Sequence, residues 1–477
     1  MDIKLGQKNT GISVLAVCMM TSLVTTFTGS ALNLSVPDIS TEFNMGATSV
    51  GWIVMSYILA TTAMSVPFGR LADLTGKARI LIAGEFVFTF FALMTAFSWN
   101  GISMLIFRTG QGIGAAAIFS TNTALLTESF PLQKRGQVLG LSVTAVYLGL
   151  SLGPVIGGLL DNYLGWRSIF YLSAAWTLIT LIIAVLKVRD PEPAKSFLYT
   201  VTESKKSENL ESVSLLRRMD IKGCLLYIIS IIFVVYGFSS LNSRKSAVFI
   251  LILGTTLLVL FIFNEKRVRF PLISIDLITG NKVFAYSNIA AFLNYAASFA
   301  IAYVLSIYLQ GIKEMTSAEA GIILITAPVL QTLLSAAAGR MSDRIKPQIL
   351  ASAGMGITAA GIFIMTFIHE DFSIGLIIAA LAIIGIGFAF FSSPNTNAIM
   401  SSVDRKDFSV ASSILATGRT MGQSVSMGLV TVIVSVVVGN VTLKAAPPED
   451  IILAIRVIFM VMAALCAIGI WFSSHRN

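Results

Sequence analysis

The chain has 477 residues, of which 55% are hydrophobic and only 12% charged, against about 25% charged in an ordinary soluble domain. That balance excludes a water-soluble globular protein. The net charge of +9 fits Lys and Arg gathered at anionic inner-leaflet lipid, so no nucleic-acid partner is implied. Apolar stretches recur from end to end, each long enough to cross about 30 Å of hydrocarbon as a helix. In chain order they lie near residues 11–36, 49–68, 79–98, 101–124, 137–160, 167–187, 221–241, 246–264, 283–309, 319–339, 347–368, 373–399, 409–438 and 451–473, which makes fourteen. The first follows Lys4 and Lys8 as a signal peptide would, but it runs on too far for a cleaved segment and is read as a retained span.

An even number of spans puts both termini on one side. Of the 33 Lys and Arg, 25 fall on that side, five opposite and three inside spans, so both termini are expected in the cytoplasm. Trp52, Trp99, Trp166 and Trp471 stand at span ends, where amphipathic rings prefer the headgroup level. The expected location is the cell (inner) membrane, crossed many times. Cys18, Cys224 and Cys466 lie in separate spans and read as buried thiols, with no spacing that suggests a disulfide or metal site. Only two histidines are present, His369 and His475, both outside the spans, so a His-based enzyme site is hard to build. No GxxxxGK[ST] loop occurs, which argues against a self-contained ATP pump. No metal or cofactor is expected.

The one long hydrophilic segment, 189–220, is rich in Pro, Ser, Lys and Glu and reads as a flexible linker. The expected organisation is a six-helix bundle over 1–188, that linker, two inserted spans over 221–264, a cytoplasmic connector over 265–282 and a second six-helix bundle over 283–477. The fold class is all-α membrane protein. GRLADLTGKAR, from Gly69, follows the second span, and GRMSDRIKP, from Gly339, follows the tenth. Both read Gly-Arg-apolar-small-Asp at a cytoplasmic turn. With spans seven and eight set aside, the two turns occupy equivalent places in two six-helix halves, which is how a parallel internal repeat looks in a transporter.

The first turn resembles the loop signature of the major facilitator superfamily, matched by Gly69, Leu71, Ala72, Asp73, Gly76, Lys77 and Arg79; Leu74 departs where the family more often has a basic residue. GLSLGPVIGG resembles the fifth-helix antiporter motif through Gly149, Gly153, Pro154, Gly157 and Gly158, and Arg108, Gln111, Gly112 and Gly114 look like the fourth-helix motif. Fourteen spans with these motifs resemble the fourteen-helix drug:proton antiporters, relatives of the quaternary-ammonium and tetracycline exporters. The resemblance implies two pseudo-symmetric six-helix bundles with two extra helices between them, working by rocker-switch alternating access as a monomer. It implies a small amphipathic substrate, protons and membrane lipid as partners.

Candidate roles follow. Ala145, Gly149, Gly153 and Gly157 form a stripe of small residues at four-residue intervals, which permits close backbone packing in lipid. Pro154 frees a carbonyl, and the stripe is expected to be the contact across which the two halves rock. Asp73 is expected to meet a helix N-terminus of the other half, that of the thirteenth span after Asp407, and Asp343 is its counterpart. Gly69, Gly76, Lys77, Arg79, Gly339 and Arg419 join them as gating residues. Charges inside spans are costly and usually functional. Arg108 is expected to hold a substrate anion or to tune a nearby carboxylate. The group's usual helix-one acid is absent, since Thr28 occupies its place in TGSALNLSVP, and Glu85 or Asp38 is the expected proton carrier. The family's cavity-lining helices correspond to spans one, four, nine and twelve. Those spans offer Thr25, Thr28, Asn33, Arg108, Gln111, Asn122, Asn288, Asn294, Tyr295, Phe388, Phe391, Asn395 and Asn397, a mixed aromatic and amide surface suited to an amphipathic solute. Efflux of such a compound is the leading function. A lipid-like or metabolite transporter without proton coupling is the second, and a membrane enzyme or non-transporting sensor is the alternative of another class.

Overall fold

The computed structural model describes residues 2–45, 47–188, 219–240, 246–268, 270–438 and 447–476. The expected linker, as far as residue 218, and the side chain of Asn33 lie outside the described residues. Fourteen helices in the described chain are long and apolar enough to cross a membrane. They are α1 Asp2–Glu42, α2 Ala47–Thr75, α3 Lys77–Ala96, α4 Gly101–Ser129, α5 Leu132–Leu164, α6 Arg167–Lys187, α7 Ile221–Ser240 and α8 Ala247–Glu265, followed by α9 to α14. Helix α9 has two pieces, Lys282–Ser298 and Ile301–Gly311, and α10 has two, Ser317–Leu324 and Thr326–Met341. The last four are α11 Pro347–Met365, α12 Ile374–Ser401, α13 Phe408–Val437 and α14 Pro448–Ser474.

Local sequence sets several of these ends. Asn100 caps α4 by accepting from the Ser103 amide at 2.8 Å, while Ser103 answers the Asn100 amide, a reciprocal pair that satisfies two otherwise orphaned donors. Thr316 and Glu319 do the same at the start of α10. Gly76, between α2 and α3, has φ of 116°, a conformation that side chains other than glycine's rarely adopt. The break in α9 frees the amide of Ala300, and Ser426 of α13 accepts it at 3.1 Å.

The first six and the last six helices are packed alike. Helix α1 lies on α5 and α6, α2 on α4, and α3 on α4 and α6; α9 lies on α13 and α14, α10 on α12, and α11 on α12 and α14. Between the two groups, α5 meets α10 and α12, while α13 meets α2 and α4. Lipid tails supply no hydrophobic drive between helices, so close backbone approach must hold them together. At α3–α4 a Cβ on Gly84 would lie 2.7 Å from the Ala117 Cβ; at α11–α12 a Cβ on Gly354 would lie 2.7 Å from the Gly387 carbonyl oxygen. Helices α7 and α8 pack on each other, and α7 leans on both α2 and α13. There the Trp52 and Tyr236 rings stack at 5.1 Å, and the Tyr227 and Thr417 hydroxyls lie 3.1 Å apart.

Candidate functional site

The two repeated turns meet the opposite group in the same way. Asp73, at the end of α2, accepts the amides of Ser409 and Val410 in the first turn of α13, at 3.1 and 3.0 Å. Asp343, just past α10, accepts the amides of Gly136 and Gln137 near the start of α5, at 2.6 and 2.9 Å. Ser409 and Val410 are the second and third residues of α13, so Asp73 satisfies amides that lack a carbonyl, whereas Gly136 and Gln137 lie one turn inside α5; both carboxylates complement the positive end of a helix dipole. Burial pushes the Asp343 carboxyl above its ordinary range, and the two amide bonds pull against that rise. Close packing completes both seams. A Cβ on Gly69 would strike Ser413, and one on Gly339 would strike the Gly136 carbonyl oxygen and lie 2.8 Å from the Gly140 Cα.

An ionic chain reinforces the first seam. Lys77, nearly buried, stands 3.6 Å from Asp73 and 3.1 Å from Glu128, and Glu128 receives Arg405 from the other group at 2.6 Å. Arg79 is exposed and reaches outward. All these contacts lie at the face carrying the α2–α3 turn, called the turn face below. At the opposite face, Glu42 accepts both Arg167 terminal nitrogens, at 2.9 and 2.7 Å, which ties α1 to α6 within the first group. The Arg167 hydrogen bonds hold the Glu42 carboxyl below its ordinary range.

The glycine stripe of α5 does not lie between the groups. A Cβ on Gly149 would strike Thr26, one on Gly153 would sit 2.6 Å from Ser30, and one on Gly157 would strike Ala31, all on α1 of the same group. Thr26 also donates to the Val146 carbonyl at 3.0 Å. Pro154 cannot supply an amide to the Leu150 carbonyl, and Ser30 donates to it instead, also at 3.0 Å. Pro154 itself is exposed, and Gly158 is half-buried beside Gly157. The expected rocking contact is thus corrected: four-residue spacing defines a face, and here that face is stitched to α1. The α5 glycines that do meet the other group are Gly136 and Gly140, one helix-half away. Gly153→Leu is expected to overpack α1–α5 and cost about 1–3 kcal/mol. It should lower the thermal midpoint of the detergent-solubilised protein without changing the ratio of conformers.

The polar residues expected to line a cavity divide sharply. Thr25 bonds its own helix at 2.7 Å, and Thr28 meets Ser173 of α6 at 2.8 Å. Asn122 donates to the Cys18 carbonyl and to Ser22 of α1, at 3.1 and 3.0 Å. Arg108 is fully enclosed within the first group. It donates to the Ile53 carbonyl at 3.2 Å and to Gln111 at 2.5 Å, with its guanidinium 4.5 Å from the Tyr57 ring centre. Its other terminal nitrogen has no partner, and no carboxylate pairs with it among the described residues. Asn395 and Asn397 bond Ser287 and Ser342, at 3.1 and 2.9 Å, and Asn288 bonds its own helix at 2.9 Å. Asn294 is buried with both amide atoms unpartnered.

What remains at mid-depth is aromatic and cationic. Phe388 of α12 packs edge-on against Tyr295 of α9 at 5.2 Å and against Tyr147 of α5 at 5.9 Å, with Phe391 at 6.5 Å. Arg419, expected at the gate, sits here instead, 5.6 Å from the Tyr295 ring centre and donating to Thr396 at 2.8 Å. The cluster draws on both groups of helices. Tyr147 was not legible as a site residue, although it is the one aromatic side chain at the middle of α5.

The two acid candidates differ in setting. Glu85 is 0% exposed, neither carboxyl oxygen has a partner, and it forms no ion pair with the neighbouring cations. Cys18 of α1 lies across from it. Asp38 is exposed at the far end of α1, close to Asp161 of α5.

The family model described as Major Facilitator Superfamily matches residues 18–268 and 288–476. Riboflavin transporter RibZ of Clostridioides difficile (strain 630) is 27% identical over 410 residues, 86% of this chain and 85% of that protein. Methylenomycin A resistance protein of Bacillus subtilis (strain 168) is 26% identical over 439 residues, 91% of this chain and 90% of that one. The crystal structure of the human organic anion transporter MFSD10 (TETRAN) superposes with a TM-score of 0.63 at 12% identity, covering 98% of each chain, which shows a shared fold. The duplicated packing, the repeated Asp-bearing turns and a family match over most of the sequence lead to one assignment: this chain belongs to the Major Facilitator Superfamily of membrane transporters.

Proposed function

We propose that the protein exports small amphipathic compounds in exchange for protons, the two six-helix groups rocking so that one face opens as the other closes. The observation that carries this is the duplicated lock, in which each group's second helix ends in a carboxylate that caps the other group's fifth helix. Two such contacts at one face form a latch that is made or broken as a unit. The Lys/Arg excess supports a cytoplasmic turn face, and the form described then reads as shut to the cytoplasm. Similarity to the methylenomycin A resistance protein supports export of a drug-like compound. Glu85 is the proposed proton carrier, because it is enclosed and unpartnered, whereas Asp38 stands exposed.

Similarity to a riboflavin transporter favours a second reading, movement of a metabolite without proton exchange. Purified protein in liposomes separates the two. Under proton exchange, cargo moves against the direction of proton flow, and reversing the pH gradient reverses cargo flux. Flux indifferent to the gradient would establish the second reading in its place.

A further inference from the structure

Building on the transport reading above, we propose that the mid-membrane cluster takes organic anions: amphipathic molecules with an aromatic or apolar body and a carboxylate held by Arg419. Three observations converge on it. The Arg419 guanidinium forms no salt bridge among the described residues, and its buried Nε has no hydrogen-bond partner. Its terminal nitrogen reaches only the Thr396 hydroxyl. Tyr147 is 4% exposed, and its hydroxyl has no partner at good hydrogen-bonding geometry, with the Ser392 and Tyr295 hydroxyls and the Arg419 charge nearby. Tyr147, Tyr295 and Phe388 supply ring faces and edges around these unused donors.

An unpaired guanidinium withdrawn from bulk water is costly, and the other cations show how this chain usually answers that cost. Lys77, Arg167 and Arg405 each have a carboxylate. Arg108 has none and leaves one terminal nitrogen unpartnered, but the Tyr57 ring covers it and Ile53 and Gln111 take its other two nitrogens. Arg419 differs from Arg108 because it is half-buried rather than sealed, and its unpartnered Nε stands in a cluster drawn from both groups of helices. A guanidinium fork matches a carboxylate in two parallel hydrogen bonds, and the Tyr147 hydroxyl adds a third donor. The rings accept the apolar body. A cationic cargo would meet like charge here with no acid to offset it.

Equilibrium binding to the purified full-length protein in detergent tests the assignment, using fluorescein as an aromatic carboxylate and ethidium as an aromatic cation, read by fluorescence anisotropy. Wild-type protein is expected to bind fluorescein saturably and in preference to ethidium. Arg419→Gln should weaken fluorescein binding roughly 10- to 100-fold, the range for losing a charged hydrogen-bond partner. Arg419→Lys should recover part of that loss, and Tyr147→Phe should weaken binding severalfold while the protein's melting temperature stays unchanged. Preference for ethidium, binding of neither probe, or fluorescein binding that Arg419→Gln leaves intact would each overturn the proposal. Arg419-dependent anion binding with gradient-insensitive flux would leave it standing and remove proton exchange; gradient-driven flux of ethidium would do the reverse.

Discussion

Gly339→Val is expected to hold the protein open at the turn face and to slow transport roughly 10- to 100-fold, the conformer shift that 1–3 kcal/mol of overpacking produces. Gly339 has no room for a side chain, because the Gly136 carbonyl, the Ser393 hydroxyl and the Gly140 Cα already occupy the place its Cβ would take. Two of those neighbours are backbone, which cannot step aside as the end of a long side chain can. The seam must therefore separate, and separation carries Asp343 away from the Gly136 and Gln137 amides. Both terms push toward the same open form. Spin labels on cysteines introduced at the exposed positions Gln133 and Lys346 report the separation of α5 from the α10–α11 turn. A longer distance distribution with slower flux is the expected pair of results. An unchanged distribution in a folded variant would remove the latch from the mechanism.

Glu85→Gln is expected to reduce gradient-driven exchange about 100-fold or more, in line with the loss of a proton-transferring group, while cargo binding is retained. Glutamine matches the shape of the neutral acid, so packing of α3 against α4 is preserved. It cannot release a proton when the carrier meets water. An ionised carboxylate enclosed without partners costs several kcal/mol that the neutral acid does not incur, and the described form gives Glu85 neither an ion pair nor a hydrogen bond. Asp38→Asn is the matched control. That carboxyl is exposed at the other end of α1, and its replacement should leave exchange within about twofold, the small effect usual for exposed groups. Flux measured in liposomes at a fixed imposed gradient, beside cargo binding at equilibrium, separates the two acids. Full exchange by Glu85→Gln would exclude it as the carrier.

The spans were legible because a run of apolar residues long enough to cross hydrocarbon has few other uses. The Asp73 and Asp343 turns were legible for a related reason, since a carboxylate at a turn crowded with cations needs a partner and helix amides supply one. The partner of the α5 stripe was not. Spacing places Gly149, Gly153 and Gly157 on one face, but which neighbour meets that face is decided by packing among helices far apart in sequence. Gly136 and Gly140 carry the same four-residue signal, and nothing in the sequence ranks one set above the other. Of the residues expected to line a cavity, Tyr295, Phe388 and Phe391 come together, while several polar ones bond neighbouring helices. An amide or hydroxyl in lipid must find a partner, and Thr28 and Asn122 found theirs on adjacent helices of the same group. The Glu128–Arg405 ion pair joins residues 277 positions apart, for which one sequence offers no signal.

The α7–α8 hairpin touches both groups across the α2–α13 seam, whereas no such cover lies on the α5–α10 seam among the described residues. The molecule therefore presents two unlike flanks to the bilayer, one buttressed and one bare. A body that swings with one flank braced gapes more widely along the other. Under the rocking proposed above, the α5–α10 side would be the doorway for acyl chains and for a cargo dissolved in the leaflet.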